Sequence, residues 1–70
     1  MSQYAVIFER ADDGGWSAYA PDLGAVVAAA DSREGVEIRM REALSLYAEE
    51  MERDGLSLPP PRSDVALLEA

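Results

Sequence analysis

The sequence contains no cysteine, no histidine and no lysine among its 70 residues. Without cysteine there are no disulfides and no thiolate sites, and without histidine the commonest transition-metal ligand is missing. No serine has a histidine or lysine to act as its base, and no glycine-rich loop opens a helix in the manner of a phosphate site. We therefore expect no catalytic residues, no metal site and no cofactor, and conclude that an enzyme is disfavoured.

Long hydrophobic runs are also missing. No apolar stretch is long enough to span a bilayer. The first residues lack the basic region and apolar stretch that together mark a signal peptide. We expect a cytoplasmic protein that does not bind membranes.

The short chain predicts a single domain spanning residues 1–70. A domain of this size buries only about 60% of the surface that its unfolded chain exposes, so a monomer is marginally stable. Because disulfides are excluded, self-association is the remaining support. We expect a homo-oligomer, either a dimer or a tetramer.

The charge is one-sided, with 14 acidic and 6 basic residues and a formal net charge of −8. A field of this sign repels phosphate backbones, so this chain alone is not expected to bind nucleic acid. It would attract a basic protein. The alternative is that the acidic surface only keeps a small protein soluble.

What the chain does contain begins with a hairpin pattern. Residues 3–9 alternate, which places Tyr4, Val6 and Phe8 on one face of a strand. Residues 11–15, rich in aspartate and glycine, then form a turn. Asp in such a turn bonds to local backbone, which is a more probable role than binding a cation.

Two further strands are predicted. The second covers residues 16–20 and ends before Pro21, which cannot donate a hydrogen bond to a sheet. The third covers residues 25–30, where length and a pair of valines favour a strand although alanine also suits a helix.

A long helix follows over residues 32–54. Either Asp31 or Ser32 caps its start, and an Asp31 cap would form a box-like pair with Glu34. Gly55 is the expected C-cap. Helical spacing places seven residues on the face that covers the sheet: Val36, Met40, Ala43, Leu44, Tyr47, Ala48 and Met51.

The sequence after the helix predicts a connector over residues 56–63 and a docking segment over residues 64–68. Three consecutive prolines favour an extended conformation over residues 56–63. Residues 64–68 are apolar enough to form a short strand or a helical turn that docks on the chain's own sheet or on a neighbouring chain. We expect a short C-terminal strand.

Two apolar residues, Ile38 and Leu46, fall on the opposite side of the helix from the core face. Exposed apolar residues are ordinary when single, but two on one side of a small domain suggest an oligomer interface. The aromatic residues Trp16, Tyr4 and Tyr19 lack an accompanying basic groove. They are therefore expected in the core or in a protein interface, and not as a stacking platform for bases.

The order of these segments resembles the HicB-like antitoxin family over residues 3 to about 61. The resemblance rests on several short motifs in sequence: Asp12-Asp13-Gly14-Gly15-Trp16, Ala18-Tyr19-Ala20-Pro21-Asp22-Leu23, Asp31-Ser32, Glu42-Ala43-Leu44-Ser45-Leu46-Tyr47, and Gly55 followed by Pro59 to Pro61. It implies an α+β fold with the order β-β-β-α-β, in which one long helix packs on a sheet resembling part of a ribonuclease H fold.

The resemblance also implies a function. Members of this family commonly neutralise a small basic RNA-cleaving toxin of the HicA type by covering its active site. On this basis we expect Trp16, Tyr19 and Asp22 to bind the partner. DNA binding, which many members owe to an additional C-terminal segment, is not expected of this chain. The alternative is a stand-alone homo-oligomeric domain with a structural or ligand-binding role and no toxin partner.

Overall fold

A computed structural model describes residues 2–70, in which three strands precede one helix. The strands are β1 (Ile7–Arg10), β2 (Trp16–Ala20) and β3 (Leu23–Ala30), and the helix is α1 (Arg33–Arg53). The sheet is antiparallel with the order β1-β2-β3, so each strand pairs with its neighbour in sequence. The predicted α+β class and the order β-β-β-α are confirmed.

The turn between β1 and β2 is held by its aspartate and glycine residues. Gly14 has a φ of +91°, which residues with a side chain rarely adopt. The Ala11 N–H donates to the Gly15 carbonyl at 2.8 Å, and the Asp13 carboxylate accepts from the Gly15 N–H at 2.9 Å. Asp13 therefore bonds to local backbone, as predicted for an aspartate in a turn.

The first strand is shorter than predicted. Residues 3–9 were expected, whereas β1 starts at Ile7 and ends at Arg10. Ile7 lies opposite Tyr19, and the register of β2 shifts directly after Tyr19. Pro21 follows with no N–H to donate. The residues before Ile7 thus have no regular partner in β2. The third strand, predicted over residues 25–30, is confirmed and starts two residues earlier.

The core lies between one face of the sheet and α1. Its fully buried residues are all apolar: Ala18, Ala20, Leu23 and Val26 from the sheet, with Val36 and Met40 from the helix. Half-buried Tyr4, Val6, Phe8 and Trp16 pack around this cluster. The predicted helix face is confirmed, since its other five members are all half-buried. Small alanines in the sheet allow the helix to approach closely.

Both ends of the helix are capped. Ser32 is the N-cap, and its hydroxyl accepts from the Gly35 N–H at 2.9 Å. The alternative cap at Asp31, paired with Glu34, does not form, because Ser32 already holds the extended N-cap conformation. At the other end Asp54 is the C-cap, and the expected glycine stands one residue later.

That glycine, Gly55, has a φ of +71° and closes a Schellman motif. Its N–H donates to the Glu52 carbonyl at 3.0 Å, and the Leu56 N–H donates to the Met51 carbonyl at 2.8 Å. The helix therefore stops at a defined point and the chain reverses there.

Residues 56–70 contain neither a helix nor a strand. The expected C-terminal strand is thus not formed within the described chain. A strand needs a neighbouring strand to satisfy its backbone groups, and residues 64–70 lie exposed and pair with no strand. We call these seven residues the C-terminal arm.

Candidate partner-binding surfaces

The face of the sheet opposite the helix is uncovered. Cross-strand pairing aligns Ile7, Tyr19 and Val27 in one row across all three strands. Tyr19 keeps 40% and Val27 keeps 62% of its surface accessible. Ser17 and Ala29 form the next pair along β2 and β3. We call this surface, centred on the row of Ile7, Tyr19 and Val27, the open sheet face.

The open sheet face is nearly free of charge. Strand alternation brings one carboxylate, Glu9, to its rim beside Ser17. The other residues that point the same way from the strands are alanine, serine, isoleucine, tyrosine or valine. An apolar and almost neutral face on a chain of net charge −8 is a local exception to the composition.

The outer side of the helix has the opposite character over its C-terminal half. Residues 42–54 carry five carboxylates and one arginine, a net charge of −4. Glu42, Glu49 and Glu50 lie four residues before, three after and four after Leu46, so they surround it on the helix surface. Leu46 itself is 54% exposed. We call these four residues the acidic helix surface.

In the N-terminal half of the helix, arginines instead pair with a carboxylate. Both ion pairs formed within residues 2–70 converge on Glu37, which accepts from Arg33 at 2.9 Å and from Arg41 at 2.8 Å. The hydrogen bonds from Arg41 and Arg33 lower the pKa of Glu37 below its ordinary value. Ile38 lies beside these pairs and is 52% exposed. The carboxylates around Leu46 have no such partner in the described chain.

Two residues that were predicted to bind a partner lie on opposite faces of the sheet. Tyr19 belongs to the open sheet face, whereas Trp16 is half-buried on the helix side and packs against the core. The guanidinium of Arg33 lies 3.6 Å from the centre of the Phe8 ring and 6.0 Å from that of Trp16. Trp16 therefore helps to join sheet and helix, and it does not share a surface with Tyr19.

The third predicted residue, Asp22, is engaged by the chain itself. Its carboxylate accepts from the Arg62 N–H at 2.7 Å, from the Ser63 N–H at 2.9 Å and from the Ser63 hydroxyl at 2.8 Å. The backbone donors of Arg62 and Ser63 lower the pKa of Asp22. The Tyr4 hydroxyl donates to the carbonyl of Pro59, which lies three residues before Arg62 in the chain. Asp22 is thus the attachment point for the base of the C-terminal arm.

A groove of about 640 Å³ lies between the N-terminal segment, the helix and residue Leu58. Its lining is mostly apolar and contains no carboxylate and no guanidinium: Ser2, Gln3, Tyr4, Leu23, Leu44, Ser45, Ala48 and Leu58. Such a lining offers no acid–base pair. Across residues 2–70, no group of acidic side chains is arranged to hold a metal ion.

Within residues 2–70, the one helix is not long and apolar enough to cross a membrane.

The predicted oligomer interface at Ile38 and Leu46 is exposed, and the two residues lie in different electrostatic surroundings. Sequence reasoning missed the roles of Val27 and Ile7. The signal for both was present, since strand alternation that buries Val26 and Phe8 turns their neighbours outward.

Comparison of the chain with models of protein families, with curated proteins and with solved structures finds no match.

Proposed function

We propose that the protein neutralises a small basic RNA-cleaving toxin of the HicA type by binding over its RNA site. The HicB-like sequence motifs support this function. The same resemblance implies two finer features of the fold, a C-terminal strand and a relation to part of the ribonuclease H sheet, and both belong to the proposal.

The observation that carries the proposal is the acidic helix surface. Leu46 offers an apolar anchor, and Glu42, Glu49 and Glu50 form a charged rim around it. Protein interfaces combine an apolar centre with a polar rim in this way. Because no arginine of the described chain neutralises the rim, its field is available to a basic partner.

The mechanism is steric and electrostatic. A ribonuclease that binds RNA presents a basic surface to the phosphates, and the acidic helix surface attracts that same surface. Once docked, the helix occupies the space that RNA would take. Inhibition therefore needs no chemical step by this protein.

The charge distribution also favours a basic partner at Leu46 over a basic partner at Tyr19. Two copies of a helix segment with net charge −4 repel each other, so Leu46 suits a basic partner better than a second copy. Tyr19, on a nearly neutral face, gains little from a basic partner. The sequence-based assignments of Trp16, Tyr19 and Asp22 to the partner and of Ile38 and Leu46 to an oligomer stay predictions.

The test begins with the protein as bait in native lysate at low salt, followed by an RNA-cleavage assay with the captured protein after its purification. We expect a small basic ribonuclease in stoichiometric amount and complete inhibition at one equivalent. The double variant Glu49→Arg with Glu50→Arg should weaken inhibition about tenfold or more, since two rim charges are reversed.

A matched control separates the surface from the net charge. Asp12→Arg with Asp31→Arg changes the net charge by the same amount, from −8 to −4, at the opposite end of the helix. This control should inhibit as well as the natural chain. Capture of no basic protein, or RNA cleavage that continues at excess protein, would contradict the proposed function.

The open sheet face favours a second candidate, a stand-alone homo-oligomeric domain with a structural or ligand-binding role. Under this alternative the lysate yields only the chain itself. The protein then assembles normally but inhibits no ribonuclease.

A further inference from the structure

The C-terminal arm is apolar and has no cover in the described chain. Val65 is 60% exposed, Leu68 is 88% exposed and Leu67 is as exposed as in an extended peptide, at 104%. Such a cluster of solvated aliphatic side chains is unfavourable, because each loses the stabilisation that burial would give. Burial of these side chains against another surface would therefore stabilise the arm.

The base of the arm is fixed to the body. Three hydrogen bonds to Asp22 hold Arg62 and Ser63, and the hydroxyl of Tyr4 binds the carbonyl of Pro59. The prolines at 59–61 stiffen the intervening chain. Residues 64–70 accordingly leave the body from a defined point and do not fold back onto their own sheet.

The edges of the sheet are poorly suited to receive the arm as an added strand. β1 has only four residues, and short edge strands are a common protection against strand addition. On the longer strand β3, the Arg39 guanidinium already donates to the Ala29 carbonyl at 2.6 Å. The open sheet face offers an uncovered apolar surface to the apolar residues of the arm.

We propose that the open sheet face binds the C-terminal arm of a second copy of this chain, and that two such contacts join a symmetric dimer. In an extended arm Val65 and Leu67 point to the same side, and they would contact the row of Ile7, Tyr19 and Val27. Seven extended residues reach about 23 Å, which exceeds the width of about 10–14 Å of a three-stranded sheet.

The charges permit a second copy as the occupant, although the arm carries two carboxylates of its own, Asp64 and Glu69, on either side of its apolar residues 65–68. Elsewhere the strong negative charge makes two copies repel, but the open sheet face carries a single carboxylate at its rim. The size of the face leads to the same conclusion. Three strands by five residues cover about 240 Å², well below the roughly 800 Å² per partner of a stable interface, so the face alone is too small. Two reciprocal arms supply additional apolar surface.

The test compares three variants of the full chain by sedimentation and light scattering. Val27→Glu damages the face and leaves the arm intact, whereas Val65→Glu with Leu67→Glu damages the contacting side of the arm and leaves the face intact. We expect each to raise the dimer dissociation constant about tenfold or more, equivalent to at least ~1.4 kcal/mol. Ile38→Glu with Leu46→Glu is the matched variant on the helix: a dimer joined by arm and face persists in it, whereas the interface predicted from the sequence at these two residues would be lost.

Mixing the two damaging variants gives the decisive measurement. The intact arm of the Val27→Glu chain can occupy the intact face of the arm variant, so the mixture regains one of the two contacts. Native mass spectrometry should detect the mixed dimer at concentrations where each variant alone is monomeric. Circular dichroism checks that each variant is folded, and the arm variant changes only solvent-exposed positions.

Three results would overturn this inference. The natural chain could remain monomeric at high concentration, its dimer could survive both damaging variants, or the mixture could associate no better than its separate components. Because the proposed toxin surface lies on the helix, inhibition of a ribonuclease can fail while the dimer forms, and the reverse holds equally.

Discussion

The open sheet face and the acidic helix surface both expose apolar side chains, yet their surroundings differ completely. Tyr19 and Val27 stand among alanine and serine, with one carboxylate at the rim. Leu46 stands among three glutamates on a helix segment of net charge −4. The apolar side chains of the two surfaces are alike, so the charges around them are what distinguish the partner proposed for each.

The comparison also separates two demands on a small acidic protein. Strong negative charge favours a basic partner but opposes self-association. By concentrating charge on the far half of the helix and keeping the sheet nearly neutral, the fold can meet both demands on opposite sides.

The largest expected effect comes from a substitution in the core, because it destabilises the domain that carries both surfaces. Met40 is 1% exposed between sheet and helix, so Met40→Ala should lower the free energy of unfolding by about 2–5 kcal/mol. That is a large share of the stability of a domain of this size, which is on the order of 3–10 kcal/mol. Urea denaturation measures the loss. Leu46→Ala, at an exposed position, should cost less than about 0.5 kcal/mol. Similar losses for both variants would show that the core is misplaced.

A smaller effect is expected from salt, which should change partner binding and dimer formation in different ways. Raising ionic strength from 0.1 to 1 M shortens the screening length from about 10 Å to about 3 Å. Binding of a basic partner to the acidic helix surface should weaken several-fold or more, while dimer formation through the sheet stays equal or strengthens. Titration calorimetry and sedimentation in the same buffers test this. Parallel weakening of both would mean that the dimer is also electrostatic.

The smallest expected effect concerns the base of the arm and its response to pH. The pKa of Asp22 is lowered by the donors of Arg62 and Ser63, so the attachment is complete above the ordinary aspartate value of 3.8. It weakens only as pH falls through the lowered pKa, when the carboxylate gains a proton. The amide resonances of Arg62 and Ser63 should shift together in that window. In Asp22→Asn this transition should be absent, and its persistence would assign it to another group.

Much of the fold followed from local patterns in the sequence. Alternation predicted the strands, and helical spacing predicted the buried positions Val36 and Met40. The glycine at 55 marked the end of the helix because a positive φ suits that position. These features depend on residues close together in the chain, which is why composition and spacing were sufficient.

The surfaces were harder to predict because they depend on contacts between distant residues. The carboxylate of Asp22 bonds to residues 40 and 41 positions away, and no local pattern announces that contact. The start of β1 likewise depends on the register of β2 and on Pro21. Trp16 and Tyr19 are three residues apart on a strand, and alternation places them on opposite faces of the sheet.

The sequential order of the sheet has a kinetic consequence. Each strand pairs with the next one along the chain, and the helix follows directly, so the body can form by short-range steps without waiting for distant segments to meet. The links from Tyr4 to Pro59 and from Asp22 to Arg62 close loops of 55 and 40 residues, and we expect them to form last. Folding would then be ordered in time: the body folds first, and the base of the arm attaches to it afterwards.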